Sequence, residues 1–301
     1  MKKAFCGRIL ALGIALTLFA AAALAGEKSS AEQKCFLWKI QSKSATVYIL
    51  GSMHMAKPDI YPLPRKIEES FANSAVLALE ADPAKAQDTA LLRQMLAAAA
   101  YAKGGTLKEH LSGETFELAR CEIERLGLSM ETFSRTKPWF LAMSIETLEL
   151  QRLDYDPANG IDIYFAGKAA GEKQIVELES FDYQIRLLNS FSDREQELFL
   201  LYTLKEMPTL RDEIEGLMAA WRGGDAKSME RLVTRSLIES PELRPIYAKL
   251  FYKRNREMTA RIERLLKGKE TVFVAVGAAH LVGKEGIIEQ LRGKGFTEEQ
   301  M

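Results

Sequence analysis

Two kinds of apolar pattern alternate along this chain, and they predict different elements. Short β-type runs occupy residues 35–40, 45–50, 75–79, 174–179 and 271–276, bounded by polar or turn-forming residues. The first two, joined by polar residues 41–44, read as a β-hairpin. Elsewhere apolar positions recur at helical spacing. Ile67 and Phe71 mark a short helix, Leu92, Met95 and Leu96 a second, and Phe116, Ala119, Ile123 and Leu126 a third. Pro138 opens a helix carrying Leu141, Ile145 and Leu148, and a further one runs from about Ile161 to Gly171. Ser192 with Glu195 forms a capping box, and Leu210, Ile214, Leu217 and Trp221 repeat before Gly223 and Gly224. Residues 247–266 read as one long amphipathic helix, and Ile287, Ile288 and Leu291 mark the last. The fold class is therefore α/β: a central sheet of few, widely separated strands with large helical insertions whose stripes read as cover for the sheet. Residues 26–301 are expected to form one domain.

The ends of the β-type runs carry the polar chemistry. Gly51-Ser52-Met53-His54 and Gly277-Ala278-Ala279-His280 each follow an apolar run, and they use two of only three histidines in the chain. The glycines are expected to let the chain leave the sheet tightly, so that each histidine turns back over the strand ends. The run at 75–79 delivers Glu80 and Asp82, and the run at 174–179 ends in Glu177 and Glu179. Two imidazoles with one or more carboxylates can coordinate a divalent ion such as Zn²⁺, Mn²⁺ or Co²⁺. Without metal, a histidine held by a glutamate is a general base for water, and the second histidine can serve an oxyanion or a leaving group. The residues leave both chemistries open. Asp82, beside Pro83, reads as a turn former, and His110, in a polar segment, as a surface residue. In Arg254-Asn255-Arg256 on the long helix, Asn255 or Arg256 is expected to reach the site and orient a carboxylate or a substrate oxygen.

Composition narrows the setting. Lys2, Lys3 and Arg8 precede an apolar stretch from Ile9 to Ala23, and Ala23-Leu24-Ala25 fits a signal-peptidase site, so residues 1–25 read as a signal peptide. The expectation is an exported protein, periplasmic or secreted, without stable membrane insertion after cleavage. The whole chain carries 41 basic and 41 acidic residues, and removing the three basic residues of the leader leaves an excess of acid. This argues against nucleic acid as a partner and leaves an unidentified peptide or small-molecule substrate. Cys35 and Cys121 remain after cleavage, and spacing does not decide whether they pair.

Taken in order, several segments resemble the TraB/GumN family, which includes the Tiki proteases of animals. They are residues 48–54, 77–82, Gly160-Ile161-Asp162 leading to 176–179, Arg254-Asn255-Arg256, and 274–283. The resemblance implies a fold related to the erythromycin esterase and ChaN-like group. It also implies a catalytic site of His54, Glu80, His280 and an arginine of the late helix, for which Arg256 is preferred over Arg254. Tiki-like chemistry would make the protein a metal-dependent peptidase with His54, Glu80 and His280 holding Mn²⁺ or Co²⁺. Erythromycin-esterase-like chemistry would dispense with metal and use His54 as general base. ChaN-like behaviour would bind metal or haem without turnover.

Overall fold

A computed structural model of the chain describes residues 34–102 and 104–301. The leader segment at residues 1–25 therefore lies outside the described residues. Six strands form one mixed sheet: β1 (Leu37–Gln41), β2 (Thr46–Ser52), β3 (Val76–Leu79), β4 (Gln174–Glu177), β5 (Thr271–Gly277) and β6 (Thr297–Gln300). Their spatial order is β4-β3-β5-β2-β1-β6. Strands β4, β3, β5 and β2 run parallel, and the predicted hairpin appears as the antiparallel β1–β2 pair. β3 and β5 are buried almost throughout, which is why they read as unbroken apolar runs rather than alternating ones.

The helices are α1 (Arg65–Ala72), α2 (Thr89–Ala99), α3 (Gly113–Arg125), α4 (Pro138–Arg152), α5 (Ile161–Ala169) and α6 (Phe181–Asn189). Then come α7 (Asp193–Glu206), α8 (Leu210–Arg222), α9 (Ala226–Glu239), α10 (Arg244–Tyr247), α11 (Arg254–Leu266) and α12 (Ile287–Gly293). The capping box at Ser192 and Glu195 is present at the start of α7. The long late helix is not uniformly α: a π-helical stretch, Ala248–Lys253, joins α10 to α11.

Three features depart from the sequence pattern. First, the insertions do more than cover the sheet. Leu107, Ile123, Leu141, Ile145 and Leu200 close a second core among α3, α4 and α7, because an insertion this long buries its own stripes. Second, Leu92 and Leu96 on α2 stay exposed. Third, β6 has no apolar alternation; its segment, Thr297-Glu298-Glu299-Gln300, is added to the edge by pairing with β1. Charged side chains suit a strand that ends a sheet. Cys35 is buried, Cys121 is exposed, and neither is in a disulfide.

Topology sets where a site can form. After β2 the chain runs through α1 toward β3, whereas after the adjacent β5 it runs through α12 toward β6, on the opposite side. Neighbouring parallel strands whose connections diverge leave a crevice at their C-terminal ends. Both Gly-x-x-His segments open into that crevice.

Candidate functional site

Glu80 stands at the centre. It leaves the end of β3, is buried, and has both carboxylate oxygens engaged: Oε1 accepts from the Gly277 backbone N–H at 2.5 Å and Oε2 from Arg254 Nη2 at 2.7 Å. His54 Nε2 and His280 Nε2 face the same Oε1 from 3.9 and 3.8 Å. Ends of three strands thus converge on one oxygen.

Each imidazole is held from behind. Asn255 donates through Nδ2 to the Glu285 carbonyl at 2.7 Å, which turns its Oδ1 toward His280 Nδ1 at 2.6 Å. An acceptor there requires Nδ1 to carry the hydrogen, so the Nε2 lone pair of neutral His280 points into the site. Asp162 Oδ1 sits behind His54, 3.3 Å from Nδ1, while accepting from Ser52 Oγ at 3.0 Å. The α5 N-terminus fixes this contact, since Ile161 N–H donates to the Met53 carbonyl at 3.0 Å.

The two glycines act through close approach, and neither φ is positive. A Cβ on Gly277 would meet His54 Nε2 at 3.0 Å and Glu80 Oε1 at 3.2 Å, so it would fill the space among the three groups. A Cβ on Gly51 would instead strike the Phe36 ring at 2.4 Å. Gly277 therefore keeps the site open, and Gly51 serves packing.

Arg254 ties two carboxylates together. Besides Glu80, its guanidinium binds Glu179, with Nε 3.0 Å from both oxygens and Nη2 2.8 Å from Oε2. Glu179 thus joins the site as a buried partner. The expectation that favoured Arg256 is corrected: Arg256 is exposed, and Arg254 faces the carboxylates. Residues two apart on a helix point roughly 200° apart, so only one of them can face inward. The buried stripe of Met258, Ile262 and Leu266 is in phase with residues 254 and 255, and that phase was available in the sequence.

Other expected residues fall outside. Asp82 caps the turn after it by accepting from Ala84 N–H, as its turn reading anticipated. Glu177 pairs with Lys85. His110 stacks on Tyr101 at 4.0 Å and lies away from the strand ends, half-buried rather than open on the surface. Asp162 was missed as a site residue; its only sequence signal was its place in the Gly160-Ile161-Asp162 segment.

Electrostatics separate the two histidines. Desolvation opposes charge on His54, but its hydrogen bond to Asp162 and the charges of Asp162 and Glu80 prevail and lift it to about 9. Its side chain keeps 56% of its surface, so water weakens that pull. His280, with 5% of its side chain exposed, is pushed down to about 4 by burial, aided by Arg254 and His54 against the opposing pull of Glu80. Burial works against the Glu80 carboxylate, but the His280, Arg254 and His54 charges and the Gly277 N–H bring it down to about 2.

The donor set suits a small divalent cation. Two imidazole nitrogens and a carboxylate oxygen aim at a space cleared by Gly277, and both imidazoles have the rear hydrogen bonds that orient metal ligands. Glu80, Glu179 and Asp162 against Arg254 leave two negative charges when the imidazoles are neutral. Among the described residues, no three such side chains are already drawn to coordination spacing. Ligand atoms around a tetrahedral zinc-sized ion lie roughly 3.4 Å apart, and the two imidazole nitrogens lie 3.9 and 3.8 Å from Glu80 Oε1.

These features define an α/β protein with a histidine–histidine–glutamate centre at the C-terminal edge of its parallel strands. Residues 36–300 match the model of the TraB/PrgY/gumN family, and the chain belongs to that family. It is 26% identical to protein YbaP of Escherichia coli (strain K12), over 81% of this chain and 87% of YbaP. It is 23% identical to a "Metalloprotease TIKI homolog" of Amphimedon queenslandica and 24% identical to "Metalloprotease TIKI1" of Danio rerio. Those matches cover 91% and 88% of this chain and 62% of each relative. No solved structure matches it significantly.

Proposed function

We propose that this protein is an exported hydrolase, a metal-dependent peptidase on an erythromycin esterase/ChaN-like fold, with His54, Glu80 and His280 as its metal-holding centre. The observation that carries the reading is the convergence of two rear-anchored Nε2 atoms on Glu80 Oε1, over a glycine that keeps the space clear. The matches to Tiki metalloproteases support the same class. A divalent ion held by His54, Glu80 and His280 would lower the pKa of a bound water and polarise a carbonyl.

The chain's own groups do the remaining work. Arg254 and the Gly277 N–H keep Glu80 ionised and immobile. Asn255 holds His280 in one tautomer, and Asp162 holds the ring of His54. Substrate enters from the His54 side, where the site meets solvent.

The contrast between the histidines favours a second reading, an esterase-like hydrolase without metal. Its roles then reverse the expectation that His54 is the base. His280, kept neutral by burial, accepts the proton of the attacking water at Nε2, while protonated His54 donates to the developing oxyanion.

The deciding experiment is elemental mass spectrometry of the purified protein beside a His54→Ala/His280→Ala double variant, with peptide and ester hydrolysis measured with and without chelator. Near one Mn, Co or Zn per chain, absent from the variant, with chelator-sensitive peptide cleavage is the expected result. Turnover indifferent to chelator selects the second reading. Metal or haem uptake without turnover rejects both in favour of a binding protein.

A further inference from the structure

Away from the strand ends, the helical layer borders a partly open cavity of about 250 Å³ among α4, α7, α9 and the segment from α10 into the π turn. Its walls include Phe199, Tyr247, Phe251 and Met207, and two carboxyl groups, Glu146 and Glu206, line it as well. Glu206 accepts a hydrogen bond from Ser236. Glu146 is half-buried and makes no hydrogen bond or ion pair among the described residues. Arg235, whose field reaches Glu206, is already paired with Glu213. Two carboxyl groups therefore line one largely apolar chamber, and among the described residues neither is in an ion pair with a cation.

The cavity adjoins the candidate site. Tyr247 and Phe251 also line a second cavity of about 210 Å³, whose wall includes Asn255 and Ala279. The Phe251 ring lies 5.3 Å from the His280 ring. Tyr247 and Phe251, where α10 runs into the π turn, thus stand between the acidic chamber and the groups that hold His280.

We propose that this chamber is a pocket for an aliphatic ammonium or guanidinium, and that its occupant is a Lys or Arg side chain of a peptide substrate. The substrate assignment rests on the hydrolase reading above. Apolar and aromatic walls accept the methylene stem, while ring faces and the two carboxyls attract the cation. Burial, reinforced by their mutual repulsion and by Glu213, holds Glu146 above the usual carboxylate range. Burial also raises Glu206, against the Ser236 hydrogen bond.

The test reads binding in the full chain carrying ¹³C-methyl methionine, with Met207 as reporter. The probes are cadaverine, N-acetyl-lysine methylamide and the uncharged 1-pentanol. Saturable Met207 shifts with both amines, absent with pentanol and weakened about tenfold or more in Glu146→Gln or Glu206→Gln, are the expected result. A shift with cadaverine alone retains the ammonium chemistry but overturns the peptide source. No shift, an equal response to pentanol, or unchanged binding in folded glutamine variants overturns the pocket. Each variant stands as an independent test should the other fail to fold. Binding without turnover of any peptide sinks only the hydrolase reading; turnover without a Met207 response sinks only the pocket.

Discussion

Gly51 and Gly277 hold the same place in two matching segments, yet different neighbours require them. Gly277→Ala places a methyl group beside His54 Nε2 and Glu80 Oε1, and should cut metal uptake and turnover by about tenfold or more while thermal stability changes little. Gly51→Ala drives a methyl group into Phe36 and should cost about 1–3 kcal/mol in a denaturant titration. The two arginines of the late helix offer a second contrast. Arg254→Leu strands Glu80 and Glu179 as buried charges and should destabilise by roughly 3–5 kcal/mol, whereas Arg256→Leu on the exposed face should stay within about 0.5 kcal/mol. Equal losses in the two variants would refute the assignment of Arg254. Asp162 was the hardest residue to find. A carboxylate that acts by holding an imidazole has no signature of its own in sequence until the helix that bears it is seated against Met53 and His54.

Among the elements, the π turn matters most for the site. Helical spacing predicts a continuous helix through residues 247–266, and chain continuity is kept, but the wider turn at Ala248–Lys253 resets the phase between Tyr247–Phe251 and Arg254–Asn255. Deleting Lys249 should rotate the two halves relative to each other by about 100°. Helix content by circular dichroism should stay near that of the parent while metal uptake and turnover are lost. Retained uptake would mean that the π turn does not position Arg254 and Asn255. The inner strands were legible because burial on both faces leaves an unbroken apolar run, and the capping box at Ser192 marked its helix start by local chemistry alone. β6 was not legible, because an edge strand is recruited by its neighbour's backbone and can be wholly polar.

For the molecule as a whole, the site makes stability depend on pH in opposite directions. His280 is depressed from 6.5 to about 4, so its contribution is complete above pH 6.5 and is lost as pH falls toward 4. His54 is raised from 6.5 to about 9, so its contribution is complete below pH 6.5 and is lost as pH rises toward 9. Glu80, lowered from 4.5 to about 2, adds a further loss below pH 4.5. Metal-free protein should therefore be most stable near pH 6.5 in urea titrations at stepped pH. The alkaline side should be shallower, because solvent reaches His54 and leaves His280 enclosed. A flat profile from pH 5 to 9 would contradict these charge assignments.

Among the described residues no helix is long and apolar enough to cross a membrane. Sequence alone determined the α/β class, the five apolar strands and the arrival of His54, Glu80, Glu179 and His280 at strand ends, because those features depend on local periodicity and on where a buried run stops. Only the tertiary structure decided which of these groups meet, which arginine neutralises the carboxylates, which partners anchor the imidazoles and which carboxyls are left without a cation. Those outcomes depend on distances between residues far apart in the chain, such as Gly277 and Glu80, and on helix phase at a π turn. Neither leaves a local pattern to read.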